Sequence, residues 1–287
     1  MSARAGSSPL PYPLSPAQTA ILELPLEGSL FLEGPAGCGK TTIGIARLLR
    51  LWQAGTPSES ILVLTPHRPL AEPYLNALRQ ADRFDQPGSS LATIAGLARR
   101  AVLRFWKAIA GPAGFASPRH PPNFLNHETA QYILALLVRP LLAQGYFETV
   151  TIERSRLYSQ ILDNLNRAAG VGFPYTEIAR RLKAAWTGEA GQLRAFDHFQ
   201  ECAIRFRQFC LSHNLLDYSL LLEIFHQQLW PDPQVQDLLS SEIRHLIYEN
   251  IEEDAPVAHD ILQSWLPRFA SALLIYDHDG GYRALSG

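Results

Sequence analysis

The sequence has few lysines and cysteines, no long apolar run and no excess of charge of either sign. Its cysteines, Cys38, Cys202 and Cys210, are odd in number and lack CxxC spacing, which argues against a disulfide framework or a zinc site and fits a reducing cytoplasm. Because the net charge is -2, no global basic field indicates a nucleic-acid partner, and any such surface has to be a local patch. Without about 18 successive apolar residues, no segment is expected to span a bilayer. We therefore predict a cytoplasmic protein with no membrane partner.

Hydrophobic residues, by contrast, are plentiful. They make up 47% of the 287 residues, enough for a full core in two domains or in one large domain with an insertion. Residues 1–14 are rich in proline and serine and lack the apolar core of a signal peptide, so we expect a disordered lead-in there. The next segment, SPAQTAILEL, predicts a short helix that Ser15 caps and that has Pro16 at its first position.

The strongest pattern in the chain is a phosphate-binding loop. An apolar run at Leu30–Leu32 predicts a buried strand, Gly34 to Thr41 follows as GxxxxGKT, and the residues from Thr42 onward have the apolar spacing of a helix. Because the chain has only three lysines, the pattern is expected by chance roughly once in a thousand such chains. The sequence therefore predicts binding of a nucleoside triphosphate.

Each residue type in this loop has a physical reason to be there. The glycines let the backbone curl and present N–H groups, the start of the helix adds its positive end, and the Lys40 ammonium reaches the β and γ phosphates. The Thr41 hydroxyl is expected to bind Mg²⁺. Cys38 lies beside the helix N-terminus, which can lower a thiol pKa, but an inert filler of a variable loop position is the better interpretation. The predicted cofactor-binding residues are Gly34, Pro35, Ala36, Gly37, Cys38, Gly39, Lys40, Thr41 and Thr42.

Further apolar segments predict the remaining strands of an open parallel sheet. ILVLT at 61–65, SLATI near residue 93, the run at 246–248 and ALLIYD before residue 278 have the composition of strands that are buried on both faces or end in polar residues. The polar residues at their carboxyl ends are Thr65, Thr93, Glu249 and Asp277. Because ligands of open α/β sheets bind at the carboxyl edge, the sequence predicts an α/β fold with its site there.

A change of composition separates the first strands from the last ones. The stretch 111–126 is rich in proline and glycine and predicts a linker or an excursion out of the first domain. The stretches 128–142, 155–169, 176–186 and 192–212 then have helical spacing with no convincing strand between them. We predict an α-helical insertion over 112–214, between the first part of the nucleotide-binding domain at 15–111 and its second part at 215–287.

The order of these segments resembles the N-terminal half of a UvrD/Rep-like superfamily 1 DNA helicase. LSPAQTAIL is similar to the Q motif, GPAGCGKT to motif I, and ILVLTPHRPLAEPYLNAL to motif Ia of that family. LATIAGLARRAVLR and HNLLDYSLLLEI resemble two further family segments, and HLIYENIEED and YDHDGGYRALSG occupy the places of motifs II and III. The resemblance covers nearly the whole chain and implies a RecA-like P-loop NTPase sheet with an inserted α-helical subdomain.

The resemblance also implies cofactors, partners and residue roles. ATP and Mg²⁺ are the expected cofactors, and single-stranded DNA is the expected partner, in a repair or recombination complex. Gln18 would read the adenine, and Lys40 and Glu249 would be the catalytic residues, with Glu249 as general base. Thr65, His67, Arg68 and Thr93 lie where the family contacts DNA, and Trp106, Phe115, Tyr146 and Trp186 are candidate stacking aromatics. The family continues past motif III into a second RecA-like domain, so we expect this chain alone neither to hydrolyse ATP quickly nor to unwind DNA.

Two departures from the family leave the activity open. Tyr248 stands in place of the motif II aspartate, and a phenol is a poor partner for Mg²⁺. Gly280 replaces the motif III glutamine and has no side chain to sense the γ-phosphate. Glu252, Glu253 and Asp254 follow closely and are alternative candidates to reach the metal, although an acidic surface loop is the default interpretation.

Three functions are therefore compared. The first is an ATP-driven helicase. The second is a helicase-derived scaffold that binds ATP and DNA but has little or no ATP turnover, as Tyr248 and Gly280 suggest. The third, an unrelated P-loop NTPase such as a kinase or a signalling ATPase, does not predict LLDYSLL or a glutamine upstream of the loop.

Overall fold

The computed structural model describes residues 13–80, 90–150 and 152–278. Most of the predicted lead-in over 1–14 and the Gly280 position of motif III therefore lie outside the described residues. The chain forms two compact units, one made of Met1–Gly96 and Pro233–Gly287 and the other of Leu97–Asp232.

The described residues contain both helices and strands, which are numbered in chain order. The strands are β1 (Gly28–Gly34), β2 (Ile61–Leu64), β3 (Ser90–Ala92), β4 (Asn123–Phe124), β5 (Leu215–Leu216), β6 (His245–Tyr248) and β7 (Ser271–Asp277). The helices are α1 (Pro16–Glu23), α2 (Lys40–Gln53), α3 (Glu72–Gln80), α4 (Ile94–Ile109), α5 (His127–Ala143), α6 (Arg154–Val171), α7 (Ile178–Ala185), α8 (Leu193–Ser212), α9 (Tyr218–Ile224), α10 (Pro233–Glu242) and α11 (Pro256–Trp265).

The first unit is built on a five-stranded sheet in the order β1-β7-β6-β2-β3, and all of its strand pairs are parallel. Every residue of β2 is buried, as expected for an apolar strand that is covered on both faces. One face packs side chains of α2 and α3 against alternate residues of the central strands, including Val63, Ile247 and Leu273. The predicted α/β class with a parallel central sheet is confirmed.

The register of this sheet brings the predicted polar strand ends to one edge. Gly34 pairs with Asp277, and Leu64 pairs with both Ala92 and Tyr248. The residues that follow these pairs begin the loops at the carboxyl edge. The phosphate-binding pattern, Glu249 and Thr65 therefore belong to the same edge of the sheet.

The second unit is mainly helical, but its bounds differ from the predicted insertion at 112–214. It extends from Leu97 to Asp232 because α4 runs without a break to Ile109 and because α9 packs against α6. It also contains a short pair of parallel strands, β4 and β5. The helical spacing of the surrounding sequence did not predict these strands.

The proline- and glycine-rich stretch at 111–126 is packed and hydrogen-bonded, unlike an open linker. Phe115 is buried against Trp106, with ring centroids 4.7 Å apart, and the Trp106 indole N–H donates to the His120 carbonyl at 2.6 Å. The Asn214 amide donates to the carbonyls of Ser117 and His120. These bonds satisfy carbonyls that no helix or sheet would satisfy.

Within the described ranges, no helix combines the length and the apolar character that crossing a membrane requires.

Candidate nucleotide-binding site

The loop between β1 and α2 has the backbone that its glycines predict. Gly37 and Gly39 have φ values of 76° and 89°, in the left-handed region that side chains disfavour. Gly39 is the N-cap of α2, and no side chain caps that end of the helix. Residues 35–38 are exposed, so the loop presents the start of the helix to solvent. The start of α2 can therefore receive a phosphate group.

Lys40 curls back into this loop. Its ammonium donates to the carbonyl oxygens of Gly34 at 2.8 Å and Pro35 at 2.7 Å, and it forms an ion pair with Asp277 at 3.5 Å. The side chain is only 6% exposed. Three oxygens thus hold a desolvated cation at the centre of the loop, where an anionic phosphate can replace the carbonyls as its partner.

Glu249 lies directly after β6 and reaches the start of α2. The Thr41 hydroxyl donates to its Oε1 at 2.6 Å, and the Tyr74 hydroxyl donates to its Oε2 at 2.5 Å. Glu249 is 2% exposed. Burial raises the pKa of its carboxyl group above the ordinary value, while the two hydroxyl donors and Lys40 oppose that rise. The result is a desolvated carboxylate with one hydroxyl on each oxygen.

Gln18 joins α1 to the phosphate-binding loop. Its amide oxygen accepts from the Ser15 backbone N–H and its backbone N–H donates to the Ser15 hydroxyl, which completes the capping box of α1. Its amide nitrogen donates to the Cys38 carbonyl at 3.2 Å. A Cβ at Gly39 would lie 2.4 Å from that nitrogen. The residue predicted to read the adenine therefore also tethers the loop.

Tyr248 does not occupy the place of a metal ligand. It is fully buried, and its hydroxyl donates to Asp254 Oδ2 at 2.6 Å. The Asn250 side chain donates to Glu253 Oε1 at 2.8 Å, so two acidic residues of this loop have partners. The segment 251–254 is half-buried, in contrast to the solvated acidic loop that was the default interpretation.

Glu252 is the unusual member of this loop. Both of its carboxylate oxygens are buried, and neither meets hydrogen-bond geometry with any group that the structure describes. Burial raises the pKa of this carboxyl group, and the nearby backbone N–H of Asp277 opposes the rise. A buried, unsatisfied carboxylate is the kind of group that a water molecule or an ion satisfies.

The residues of the loop fit ATP with Mg²⁺, although the protein side chains alone do not make a metal cage. Among residues 13–80, 90–150 and 152–278, no group of three or more His, Cys, Asp or Glu side chains is arranged to hold a metal ion. Mg²⁺ commonly binds through one or two protein groups with phosphate and water oxygens. The Thr41 hydroxyl, held by Glu249, and the unsatisfied Glu252 carboxylate are the groups that suit this role.

The predicted DNA-contacting residues lie together at the ends of β2 and β3. The Thr65 hydroxyl is buried and donates to the His67 carbonyl at 3.1 Å. The Thr93 hydroxyl accepts from the Gly96 backbone N–H at the start of α4. His67 is half-buried and Arg68 is exposed. The two threonines therefore shape the loops, and Arg68 is the exposed cation of the set.

The four candidate aromatics divide between core and surface. Trp106 and Phe115 are buried against each other, and Tyr146 stacks on His198 with centroids 4.3 Å apart. Trp186 is 38% exposed, with its indole N–H bonded to the Glu189 carbonyl. Only Trp186 of these rings combines a large exposed surface with a fixed orientation.

Sequence reasoning missed Tyr74. It lies on α3 among apolar positions, and a tyrosine there is ordinarily interpreted as a core residue. Nothing in the local pattern indicates a functional role for its hydroxyl. The indirect signal is Gly44, a glycine inside the helix α2.

No protein-family model and no curated protein matches the chain.

Proposed function

We propose that this chain is an ATP- and Mg²⁺-binding RecA-like P-loop domain of a UvrD-like DNA helicase, which binds single-stranded DNA at the ends of β2 and β3. One observation carries the proposal. Thr41 of the glycine loop and Glu249 after β6, which are 208 positions apart, meet in a hydrogen bond of 2.6 Å. A phosphate loop after β1 joined to a carboxylate after β6, with β7 between the two strands, places a phosphate site beside a candidate base, as phosphoryl transfer needs.

Each side chain has a definite task in this proposal. The loop N–H groups and the start of α2 bind the phosphates, and Lys40 exchanges its carbonyl partners for phosphate oxygens. Mg²⁺, when bound, neutralises the charge that develops on the phosphates. The Thr41 hydroxyl would offer its oxygen to the ion while its O–H group still donates a hydrogen bond to Glu249 Oε1. Glu249 orients the attacking water and accepts its proton, a task that its raised pKa favours.

A second candidate is a helicase-derived scaffold that binds ATP with little turnover, and Tyr248 favours it. The hydroxyl of buried Tyr248 donates a hydrogen bond to Asp254, and residue 248 therefore offers no carboxylate to the ion. If Glu252 does not take over that role, charge stabilisation in the transition state is weaker. Binding of ATP and DNA is common to both candidates, and the hydrolysis rate separates them.

The DNA part of the proposal rests on fewer residues. Arg68 is exposed at the carboxyl edge of the sheet, near the paired ends of β2 and β3. Guanidinium groups suit phosphate contacts. Since the net charge of the chain is -2, such a contact would be local and its affinity would fall as salt is raised.

The test is ATP turnover by the full-length protein, with and without single-stranded DNA, beside a Glu249→Gln variant. A helicase motor is expected to show turnover that DNA stimulates and that Glu249→Gln reduces at least about a hundredfold, as for other groups that act on the reacting water. Tight ATP binding with no turnover in either chain would instead establish the scaffold. Turnover that Glu249→Gln leaves unchanged would contradict the assignment of the general base.

A further inference from the structure

Tyr74 makes a contact with Glu249 that the proposed function has not used. Its side chain is fully buried, and its hydroxyl donates to Glu249 Oε2 at 2.5 Å from a helix 175 positions earlier in the chain. Burial, and then the neighbouring carboxylate, raise the pKa of this hydroxyl well above its ordinary value, so it stays protonated and remains a donor.

The neighbouring helix makes room for this hydroxyl. A Cβ placed on Gly44 of α2 would lie 2.1 Å from the Tyr74 oxygen and 3.0 Å from Ile275 Cδ1. Glycine is a poor helix former, and Gly44 has no positive φ that would require it. Its role in α2 is therefore the close approach of Tyr74 to the phosphate-loop helix.

The two hydroxyl donors constrain the carboxylate in different ways. Thr41 belongs to the loop that receives the nucleotide, so its hydroxyl has to serve a metal ion as well as Oε1. Tyr74 belongs to the core and has no such second partner in the proposed reaction. With Oε2 fixed by Tyr74, the plane of the carboxylate is set before a nucleotide binds, and preorganisation of this kind accelerates the reaction itself.

We propose that Tyr74 is a positioning residue, which holds Glu249 in its reactive orientation through Oε2, in a pocket that Gly44 keeps open. This inference rests on the proposed function, because it assigns Glu249 to the reacting water. It adds a residue of α3 to a site that the glycine loop and β6 otherwise supply.

The test compares Tyr74→Phe with the unchanged chain in single-turnover ATP hydrolysis and in ATP affinity. Tyr132→Phe is the matched control, since Tyr132 is exposed on α5 and belongs to the other compact unit. We expect Tyr74→Phe to slow hydrolysis by about ten- to a hundredfold, the effect of losing one hydrogen bond to a charged group, with ATP affinity within about twofold. Tyr132→Phe is expected to change neither quantity.

A double-mutant cycle separates positioning from a general loss of structure. In a Glu249→Gln background the oriented carboxylate is gone, so Tyr74→Phe is expected to have little further effect on the rate. If Tyr74→Phe does not fold, Gly44→Ala provides the same comparison, because it displaces the tyrosine without removing it.

Four results would count against the inference. Equal hydrolysis rates for Tyr74→Phe and the unchanged chain would overturn it while leaving the proposed function intact. A rate loss that persists undiminished in the Glu249→Gln background would show a structural effect and also overturn it. ATP binding without any single-turnover hydrolysis would remove the reaction that Tyr74 is said to serve. Failure to bind ATP at all would refute the proposed function itself, and this inference with it.

Discussion

At the scale of single residues, Tyr248 differs from the aspartate of the resembled helicase motif in both charge and hydrogen bonding. The side chain is fully buried at the end of β6, and its hydroxyl holds Asp254. Burial, followed by the Asp254 charge and hydrogen bond, raises its pKa far above the ordinary range, so the phenol stays neutral. It thus supplies a structural bond at the position where the helicase motif that the sequence resembles has a charged group.

We expect Tyr248→Phe to destabilise the fold by about 1 to 3 kcal/mol, because the Oδ2 atom of half-buried Asp254 loses its donor. Urea denaturation measures this change. Tyr276→Phe is a matched control, since Tyr276 lies on β7 in a less buried position. A stability equal to that of the unchanged chain would contradict the assigned role of this bond.

Introducing the aspartate of the helicase motif that the sequence resembles requires a second change. Tyr248→Asp alone would bury a carboxylate next to Asp254, and two like charges at close range destabilise each other. We therefore expect Tyr248→Asp to unfold at lower urea concentration than Tyr248→Phe, and Tyr248→Asp with Asp254→Asn to recover part of the loss. The same urea titration tests this, and a single variant as stable as the double one would contradict it.

At the scale of elements, the strand, glycine loop and helix at 28–53 were predictable because their signal is local: an apolar run, glycines at fixed positions and helical spacing. The parallel sheet followed from the composition of its strands. The packing of the stretch at 111–126 was not predictable, since the Asn214 amide that binds its carbonyls lies 97 and 94 positions away from Ser117 and His120. The Tyr74 contact was missed for the same reason.

Helix α2 provides a test of the close approach at Gly44. In an ordinary helix interior Gly→Ala stabilises by about 1 kcal/mol, but a Cβ here would lie 2.1 Å from the Tyr74 hydroxyl. We expect Gly44→Ala to destabilise the fold by about 1 to 3 kcal/mol through overpacking. Gly96→Ala in α4 is the matched control, because its Cβ would meet nothing closer than 3.5 Å and should be neutral or stabilising. Equal effects in urea denaturation would contradict this account.

At the scale of the whole molecule, each compact unit has its own buried polar centre. In the helical unit, Arg207 is 1% exposed and bonds Asp217, Ser219 and Glu223. In the sheet unit, Lys40 and Glu249 are buried charges at the glycine loop, and Arg47 is a further buried charge. The sequence indicated the second centre through its motifs, whereas Arg207 lies on a helix whose other arginines are paired at the surface or exposed, and nothing local distinguishes it.

The stability of the helical unit is expected to depend more on Arg207 than on Arg205. Removing one partner of a buried ion pair leaves charges uncompensated, so Arg207→Ala is expected to destabilise by about 3 to 5 kcal/mol. Arg205→Ala removes only an exposed i,i+4 pair with Glu201 and should cost less than about 0.5 kcal/mol. Circular dichroism during urea titration measures both changes. Similar losses for the two variants would show that the buried cluster contributes no special stability.

The central claim, that the glycine loop binds ATP, is tested most directly by equilibrium binding of ATP in Mg²⁺, measured by calorimetry on three chains. The chain and a Lys107→Ala variant, which loses an exposed lysine of α4, are expected to bind equally. Lys40→Ala is expected to lose at least about a hundredfold in affinity, because its ammonium is the charge at the centre of the loop. Unchanged affinity in Lys40→Ala, or no binding by the unchanged chain, would contradict the claim.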